Sequence, residues 1–249
     1  MLEPGTIIAL LVAAAIFGLS LLHSSSGLGG AASYLAIMAL LGMPLLVIKP
    51  TVLTLNIIVA LICTVRFYRA GFFSWRSFWP FAVASVPASF VASLLPLPGL
   101  VDRVLVGLIL LYAAIRLFFS SVNSEQTKVG SVPILIALPL GAAIGFVSGI
   151  VGIGGGIILS PILFGRRWAD ADETRGVTVA FALVNSIAAL IPRAEGILSL
   201  PDGFLYWAPA VIVGAWIGTE LSDRGRFFLL RFGRFSSFVV AAAGVRLIV

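Results

Sequence analysis

The chain has 249 residues, of which 60% are hydrophobic and 10% charged, and its mean hydropathy is +1.15. Soluble domains carry about a quarter charged residues, so this composition excludes a soluble globular protein and favours a polytopic membrane protein. The net charge of +6 comes from basic residues in short loops between apolar runs. This pattern indicates orientation in a lipid bilayer rather than binding of nucleic acid.

Ten apolar segments of the kind that crosses or enters a bilayer follow one another along the chain. The first five are residues 6–22, 31–48, 51–65, 78–95 and 104–119. The last five are residues 133–151, 157–165, 176–191, 204–219 and 227–249. We expect all of them to be helical, and the segment 157–165 is long enough for about half a bilayer.

Residues 120–132 form a polar linker, which divides the chain into a first repeat, 1–119, and a second repeat, 133–249. The two halves match in several places, with the order kept and offsets between 124 and 130. Gly27-Leu28-Gly29-Gly30 matches Gly152-Ile153-Gly154-Gly155, and the segment that begins at Asn56 matches the segment that begins at Asn185. The pattern predicts an internal duplication.

The basic loops predict the topology. Arginines are concentrated in residues 66–76, 166–175 and 224–234, and five segments in each half place all three loops on the same side. The positive-inside rule then assigns these loops, and the linker, to the cytoplasm. The two halves therefore have opposite orientations, and we expect an all-α, multi-pass bundle of two inverted repeats in the inner (plasma) membrane.

A glycine-rich stretch, residues 141–161, opens the second half. Gly141, Gly145 and Gly149 are four residues apart and would line one helix face, where another helix can approach closely. The run Gly152–Gly156 is a poor helix former and predicts a broken or re-entrant helix. Free main-chain groups in a membrane are tolerated where they meet protein, water or a ligand, so we expect a solute to bind at this break.

The motif from Gly149 to Gly156, followed by Pro161, resembles the glycine signature of the TauE/SafE sulfite exporter family. A weaker copy, Ser26 to Gly30, fits the same signature, and the resemblance covers essentially the whole chain. The resemblance implies secondary transport of a small anion such as sulfite, a sulfonate, another oxyanion or a small organic acid. The first copy departs from the pattern at Ala31 and Ala36, so unequal half-sites are expected.

The chemistry of the site also follows from the residues. Helix N-termini offer free N–H groups and positive potential to an anion, and glycine lets the anion approach the backbone. Neutral donors lie nearby, and the buried amides must find partners in the solute or in a glycine turn. The candidate binding residues are Ser25, Ser26, Gly27, Gly29, Gly30, Asn56, Ser148, Gly152, Gly154, Gly155, Gly156 and Asn185.

Other interpretations stay open at this point. An anion channel could share the inverted repeats. A membrane-embedded enzyme is less favoured, because the sequence contains no HExxH motif and no pair of aspartates. Its single histidine is His23. No catalytic residue, metal site or cofactor is predicted, and Cys63 as the single cysteine excludes a cysteine-based metal cluster. The expected partners are a small anionic solute and the lipid bilayer, and the sequence leaves a homodimer open.

Overall fold

The structure is a computed structural model that describes residues 4–27, 30–119, 130, 132–198, 200–221 and 226–249, and of residues 4, 5 and 226–235 the backbone alone. Within these ranges the chain is helical and contains no strand. The α-helices are α1 (Pro4–Ser26), α2 (Ala31–Leu40), α3 (Leu45–Arg69), α4 (Trp75–Ser93), α5 (Gly99–Phe118), α6 (Ile134–Val151), α7 (Gly156–Gly165), α8 (Ala171–Leu190), α9 (Phe204–Glu220) and α10 (Arg226–Ile248). A 3-10 helix, Ile191–Ile197, continues α8.

The described helices include four that are long and apolar enough to cross a membrane. They are Thr6–Ser26, Leu45–Arg69, Ile134–Val151 and Ala171–Ile197. Large apolar side chains also lie on the outside of the bundle, for example Leu46 and Leu135, which are 88% and 89% exposed. An apolar outer surface of this kind is stable against lipid and costly against water. The predicted helical membrane bundle is therefore confirmed at this level.

The predicted segment 31–48 was wrong. Helix α2 ends at Leu40, and the chain turns through Gly42, whose φ is +77°, before α3 begins at Leu45. Helix α3 then continues through Lys49 and Pro50, where the sequence had indicated a boundary. Pro50 is the sixth residue of α3 and therefore lies inside the helix, just beyond its first turn. As a result α2 has ten residues, the same length as α7.

Helices α4 and α6 interlock through the predicted glycine face. A Cβ built on Gly145 would lie 2.2 Å from the carbonyl oxygen of Ser85, so the two backbones are in direct contact. Gly141 and Gly149 meet α4 in the same way, at Phe81 and Ser89. Because the residue numbers of the contacts increase in the same order on both helices, the two helices run in the same direction. The prediction that this face packs against another helix is confirmed, and small residues are what such packing requires.

A second interlocked pair consists of α1 and α9. A Cβ on Gly218 would lie 2.3 Å from the carbonyl oxygen of Leu21, and Gly214 meets Phe17 one turn earlier on both helices. This pair also runs in the same direction. Each interlocked pair therefore joins one helix from the first half of the chain with one helix from the second half.

Two other helix pairs run in opposite directions. Pro50 of α3 lies against Gly196 just after α8, whereas Asn56, further along α3, bonds to Ser186, earlier in α8. Helices α5 and α10 behave in the same way, since Gly107 meets Ile248 and Gly244 meets Leu111. In both pairs, the partner of each helix is the one five α-helices further along the chain.

Helix α4 is continuous, although two prolines in segment 78–95 made it a candidate for bending. Helix α4 contains Pro80 and Pro87 and continues from Trp75 to Ser93 without interruption. Its residue Phe81 is fully buried in a core shared with α6, α7 and α8. This packing holds α4 against the glycine face of α6, so the prolines leave the helix continuous in this arrangement.

Candidate functional site

The second glycine turn separates α6 from α7. Helix α6 ends at Val151, and Gly152, Gly154 and Gly155 all have a left-handed backbone, with φ of +83°, +73° and +77°. Side chains other than glycine rarely adopt this region, so the glycines are what permits the break. Helix α7 starts at Gly156 and its N-terminus receives no side-chain cap. The predicted helix break is therefore present at the predicted residues.

Gly154 lies against polar groups of α3 and α8. A Cβ on Gly154 would lie 2.7 Å from Oγ of Ser186, 2.9 Å from Nδ2 of Asn56 and 2.9 Å from the carbonyl oxygen of Ala182. Asn56 Nδ2 donates a hydrogen bond of 2.8 Å to Ser186 Oγ. Asn56 Oδ1 is buried and has no hydrogen-bond partner within the described ranges. One unpaired hydrogen-bond acceptor therefore lies beside the turn, and the donor of the same amide is bonded to Ser186.

Gly155 lies against apolar groups and one serine. Its Cβ position is 3.1 Å from carbon atoms of Ile144 and Phe181 and 3.3 Å from Cβ of Ser148. Ser148 Oγ is buried and has no partner in the part of the chain that the structure describes. Gly155 therefore permits both the turn and close packing. The side chains of Ile144, Phe181 and Ser148 close the turn on this side.

Asn185 has a different role from Asn56. Its Nδ2 donates to Ser85 Oγ at 3.0 Å and to the carbonyl oxygen of Phe181 at 2.9 Å, and Ser89 Oγ donates to its main-chain oxygen. The bonds with Ser85 and Ser89 join α8 to α4, whereas the bond to Phe181 lies within α8. Asn56 lies 11 residues after the first residue of α3, and Asn185 lies 14 residues after the first residue of α8. The two amides therefore lie at different distances from the start of their helices and have different neighbours.

The first glycine turn lies against α8 as well. Gly27 has a φ of +68°, and its Cβ position is 2.7 Å from Cα of Arg175. Thr178 Oγ1 donates to the carbonyl oxygen of Gly27 at 2.9 Å. Gly30 precedes α2 with a right-handed backbone, φ −92°. The predicted Gly29 lies outside the described residues.

The serines of the first turn bond back into α1. Ser25 Oγ and Ser26 Oγ both donate to the carbonyl oxygen of Leu22, at 2.7 and 3.2 Å. His23 joins the two sides of the turn, because its Nδ1 bonds to the carbonyl oxygen of Leu19 and its Nε2 to Ser33 Oγ of α2. These side chains stabilise the local structure, and the two turns are unequal in the polar groups that they offer.

A group of charges that was not predicted from the sequence lies next to the second turn. The Cβ position of Gly152 is 3.5 Å from the side-chain stem of Lys49, whose Nζ lies 2.5 and 2.7 Å from the two carboxylate oxygens of Asp102 in α5. Arg193 donates to the carbonyl oxygens of Ala189, at 3.0 Å, and Gly149, at 2.9 Å. Charges inside a membrane protein are costly and mark functional sites. The signal in the sequence was a lysine within an apolar run. It was overlooked because a boundary between two segments was placed at residues 49 and 50.

A cavity of about 620 Å³ lies at the other end of α3, against α9. Arg66 crosses from α3 to α9, where it donates to the main-chain oxygen of Trp216, to Thr219 Oγ1 and to Glu220 Oε1, at 2.7 to 2.8 Å. Its guanidinium also lies 4.2 Å from the centre of the Trp216 ring. Arg69, the last residue of α3, lines the same cavity and is exposed.

This architecture, apolar helices around a broken helix with buried polar and charged groups, is typical of multi-pass membrane transport proteins. The model of the TauE/SafE sulfite exporter family matches residues 11–247. The chain therefore belongs to the TauE/SafE family and is a membrane transporter of that family. A protein of Sinorhizobium fredii (strain NBRC 101917 / NGR234), described as probable membrane transporter protein y4hK, is 38% identical over 216 residues, which cover 86% of this chain and 87% of that protein. No solved structure matches the chain.

Proposed function

We propose that this transporter is a secondary carrier of a small anion, such as sulfite, a sulfonate or another small oxyanion or organic acid. The observation that supports the proposal best is the second glycine turn, where three left-handed glycines end α6 and open the N-terminus of α7 beside Lys49 and Asn56. The free N–H groups of a helix start attract negative charge. The nearby lysine adds a cation, and the glycines let a solute reach the backbone.

The helix contacts support an inverted repeat. In an inverted repeat, the counterpart of each helix is the one five α-helices later. Two helices, α3 and α5, contact their own counterparts, α8 and α10, and both pairs are antiparallel. The counterpart of α4 is α9, and the counterpart of α6 is α1. The parallel contact between α4 and α6 is therefore repeated as the parallel contact between α9 and α1. A two-fold axis in the plane of the membrane produces this pattern, and carriers with such repeats bind their solute at broken helices near the midplane.

The interlocked pairs suggest how alternating access takes place. Glycine contacts hold α4 to α6 and α1 to α9, so each pair moves as one unit. Between these units lie α3 and α8, which meet through polar groups, among them Asn56 and Ser186. Polar contacts can exchange partners at lower cost than close-packed backbones. In this mechanism one pair rocks against the other across α3 and α8, and the movement opens the closed glycine turn to one side of the membrane at a time.

The proposed orientation places residues 66–76, 166–175 and 224–234 in the cytoplasm and the protein in the plasma membrane. A membrane-impermeant thiol reagent on right-side-out vesicles tests this orientation. In a Cys63→Ser background, Asp202→Cys should be labelled at once, whereas Arg69→Cys and Arg167→Cys should be labelled after the membrane is permeabilised. Labelling of all three cysteines from the same side would contradict the inverted arrangement.

A thermal-shift screen of the purified protein tests the proposed function. The protein in detergent is heated with sodium sulfite, sulfate, thiosulfate, sulfoacetate, lactate or acetate, or with the zwitterion taurine, each at matched ionic strength. A ligand that binds the folded state raises the melting temperature in proportion to the logarithm of its concentration. We expect at least one anion of the panel to do so in the wild type and not in Gly154→Val. If no anion raises the melting temperature, the proposed substrate class is wrong.

A further inference from the structure

The charges beside the second glycine turn do not balance. Lys49 is 7% exposed and is paired with Asp102, whose side chain is 18% exposed. Arg193 donates to carbonyl oxygens of Ala189 and Gly149, and these atoms carry partial charges rather than a full negative charge. In the described ranges, no carboxylate lies within 4.0 Å of Arg193, and the nearby Glu195 is exposed. The buried Lys49 and the partly buried Arg193 therefore have one carboxylate between them, and it is bonded to Lys49.

The two cations belong to different halves of the chain and converge on the end of the same helix. The stem of Lys49 lies along Gly152, which follows the last residue of α6, and Arg193 bonds to the carbonyl oxygen of Gly149, less than one turn earlier. Pro50, the residue after Lys49, also lies against Gly196. The cations are thus held at the break from two sides, one by α3 and one by the 3-10 helix after α8.

An uncompensated cation in a membrane protein is unfavourable, and one further negative charge at this place would stabilise it. The adjacent glycine turn is the element that would accept such a charge. We propose that Lys49 and Arg193 together hold the transported anion, and that Asp102 occupies the anion's place on Lys49 in the empty carrier. This inference rests on the proposed function and adds to it a pair of binding cations and a built-in competitor.

The side chains suit this exchange. The ammonium of lysine is a point charge on a flexible four-carbon stem, so Lys49 can turn from Asp102 towards the glycine turn while its stem stays in place. Asp102 lies in the first turn of α5, where the helix N-terminus stabilises a carboxylate after the lysine has left. Arg193 keeps a fixed position through its two carbonyl bonds. The anion would therefore bridge a mobile cation of the first half and a fixed cation of the second half.

The proposal predicts opposite effects for the two partners of the ion pair. In Asp102→Asn the competitor for Lys49 is removed, so the anion should bind more tightly, by about 5- to 150-fold if the coupling is of ordinary size. In Lys49→Gln and Arg193→Gln a binding cation is lost, and affinity should fall by a similar factor or more. If the ion pair only stabilised the fold, Lys49→Gln and Asp102→Asn would both lose stability, and neither variant would bind the anion more tightly.

The test is calorimetric titration of the full chain in detergent micelles with sodium sulfite and, as an organic probe, sodium lactate. Arg103→Gln is the matched control for Lys49→Gln, and Glu195→Gln is the control for Asp102→Asn, because both control residues are exposed neighbours of the cluster. Both controls should bind as the wild type does. The double variant Lys49→Gln/Asp102→Asn replaces the buried pair by two neutral amides, so it should fold even where a single variant does not.

The inference is supported if Asp102→Asn tightens binding and the folded double variant binds both salts at least about 5-fold more weakly than the wild type does. It is overturned if wild type binds and Asp102→Asn binds equally or more weakly, or if the folded double variant binds as the wild type does. Either of these results leaves the proposed function intact. If neither the wild type nor Asp102→Asn binds either salt, the inference is overturned as well. The thermal-shift screen then decides separately whether the proposed substrate class fails too.

Discussion

Replacement of Gly154 by alanine is expected to destabilise the protein through two separate effects. The residue has a φ of +73°, and an alanine in this left-handed region costs about 1–2 kcal/mol. The new Cβ would also lie 2.7 Å from Oγ of Ser186 and 2.9 Å from Nδ2 of Asn56, which are bonded to each other. If their hydrogen bond breaks, a buried amide is left unpaired at a cost of about 1–3 kcal/mol. The expected loss is therefore about 2–5 kcal/mol.

Gly71 provides the matched control. Its φ is +80°, and nothing lies within 4 Å of its Cβ position, so Gly71→Ala should show the conformational cost alone. The free energy of unfolding is measured for both variants in mixed detergent and SDS micelles. We expect Gly154→Ala to lose about 1–3 kcal/mol more than Gly71→Ala. Equal losses, within about 0.5 kcal/mol, would refute the conclusion that Gly154 is enclosed by the amide and the hydroxyl.

Two further predictions concern the contacts between helices. Gly145→Ala should push α6 away from α4, because its Cβ would lie 2.2 Å from a main-chain oxygen of α4, and should cost about 1–3 kcal/mol. The same change at Gly165, where nothing lies within 4 Å, should be close to neutral in the same unfolding assay. Arg66→Gln removes the bonds from α3 to α9 and should cost about 1.5–3 kcal/mol. Glu220→Gln should cost about 0–1 kcal/mol, because this carboxylate is mostly exposed. A larger loss for Glu220→Gln than for Arg66→Gln would contradict the conclusion that the main-chain and Thr219 bonds of Arg66 hold α3 to α9.

The helix break was predictable because its cause is local. Glycine is the residue that adopts a left-handed backbone without strain, and three such residues follow a helical apolar run at Gly152, Gly154 and Gly155. The close packing of α6 was predictable for the same reason, since glycines four residues apart must lie on one helix face. The half-length helix α7 followed from nine apolar residues that end at two arginines.

The boundary between α2 and α3 could have been placed correctly from the sequence. Gly42 followed by Pro44 is the usual signal of a helix end, with glycine just after the last turn and proline soon after it. The dipeptide Lys49-Pro50 was given more weight, because a lysine is costly in a bilayer and a proline is unfavourable inside a helix. The structure resolves the conflict, since the lysine is paired and the proline lies near the start of α3.

The charge partners could not be predicted from the sequence. Lys49 and Asp102 are 53 residues apart, and Arg66 and Glu220 are 154 residues apart. No periodicity or spacing in the sequence connects such positions. Arg224 and Arg226 are closer to Glu220 along the chain, but their side chains lie outside the described part of the chain. The partner that the structure shows is Arg66, on a helix of the other half.

Counterflow of radiolabelled sulfite in proteoliposomes tests the carrier at the second glycine turn most directly. Vesicles loaded with unlabelled sulfite are diluted into a trace of the label, and the internal label is followed over time. The account predicts a transient accumulation above the external concentration for wild type and for Gly71→Val, and none for Gly154→Val. Simple equilibration without accumulation in the wild type, or accumulation by Gly154→Val equal to that of the wild type, would contradict it.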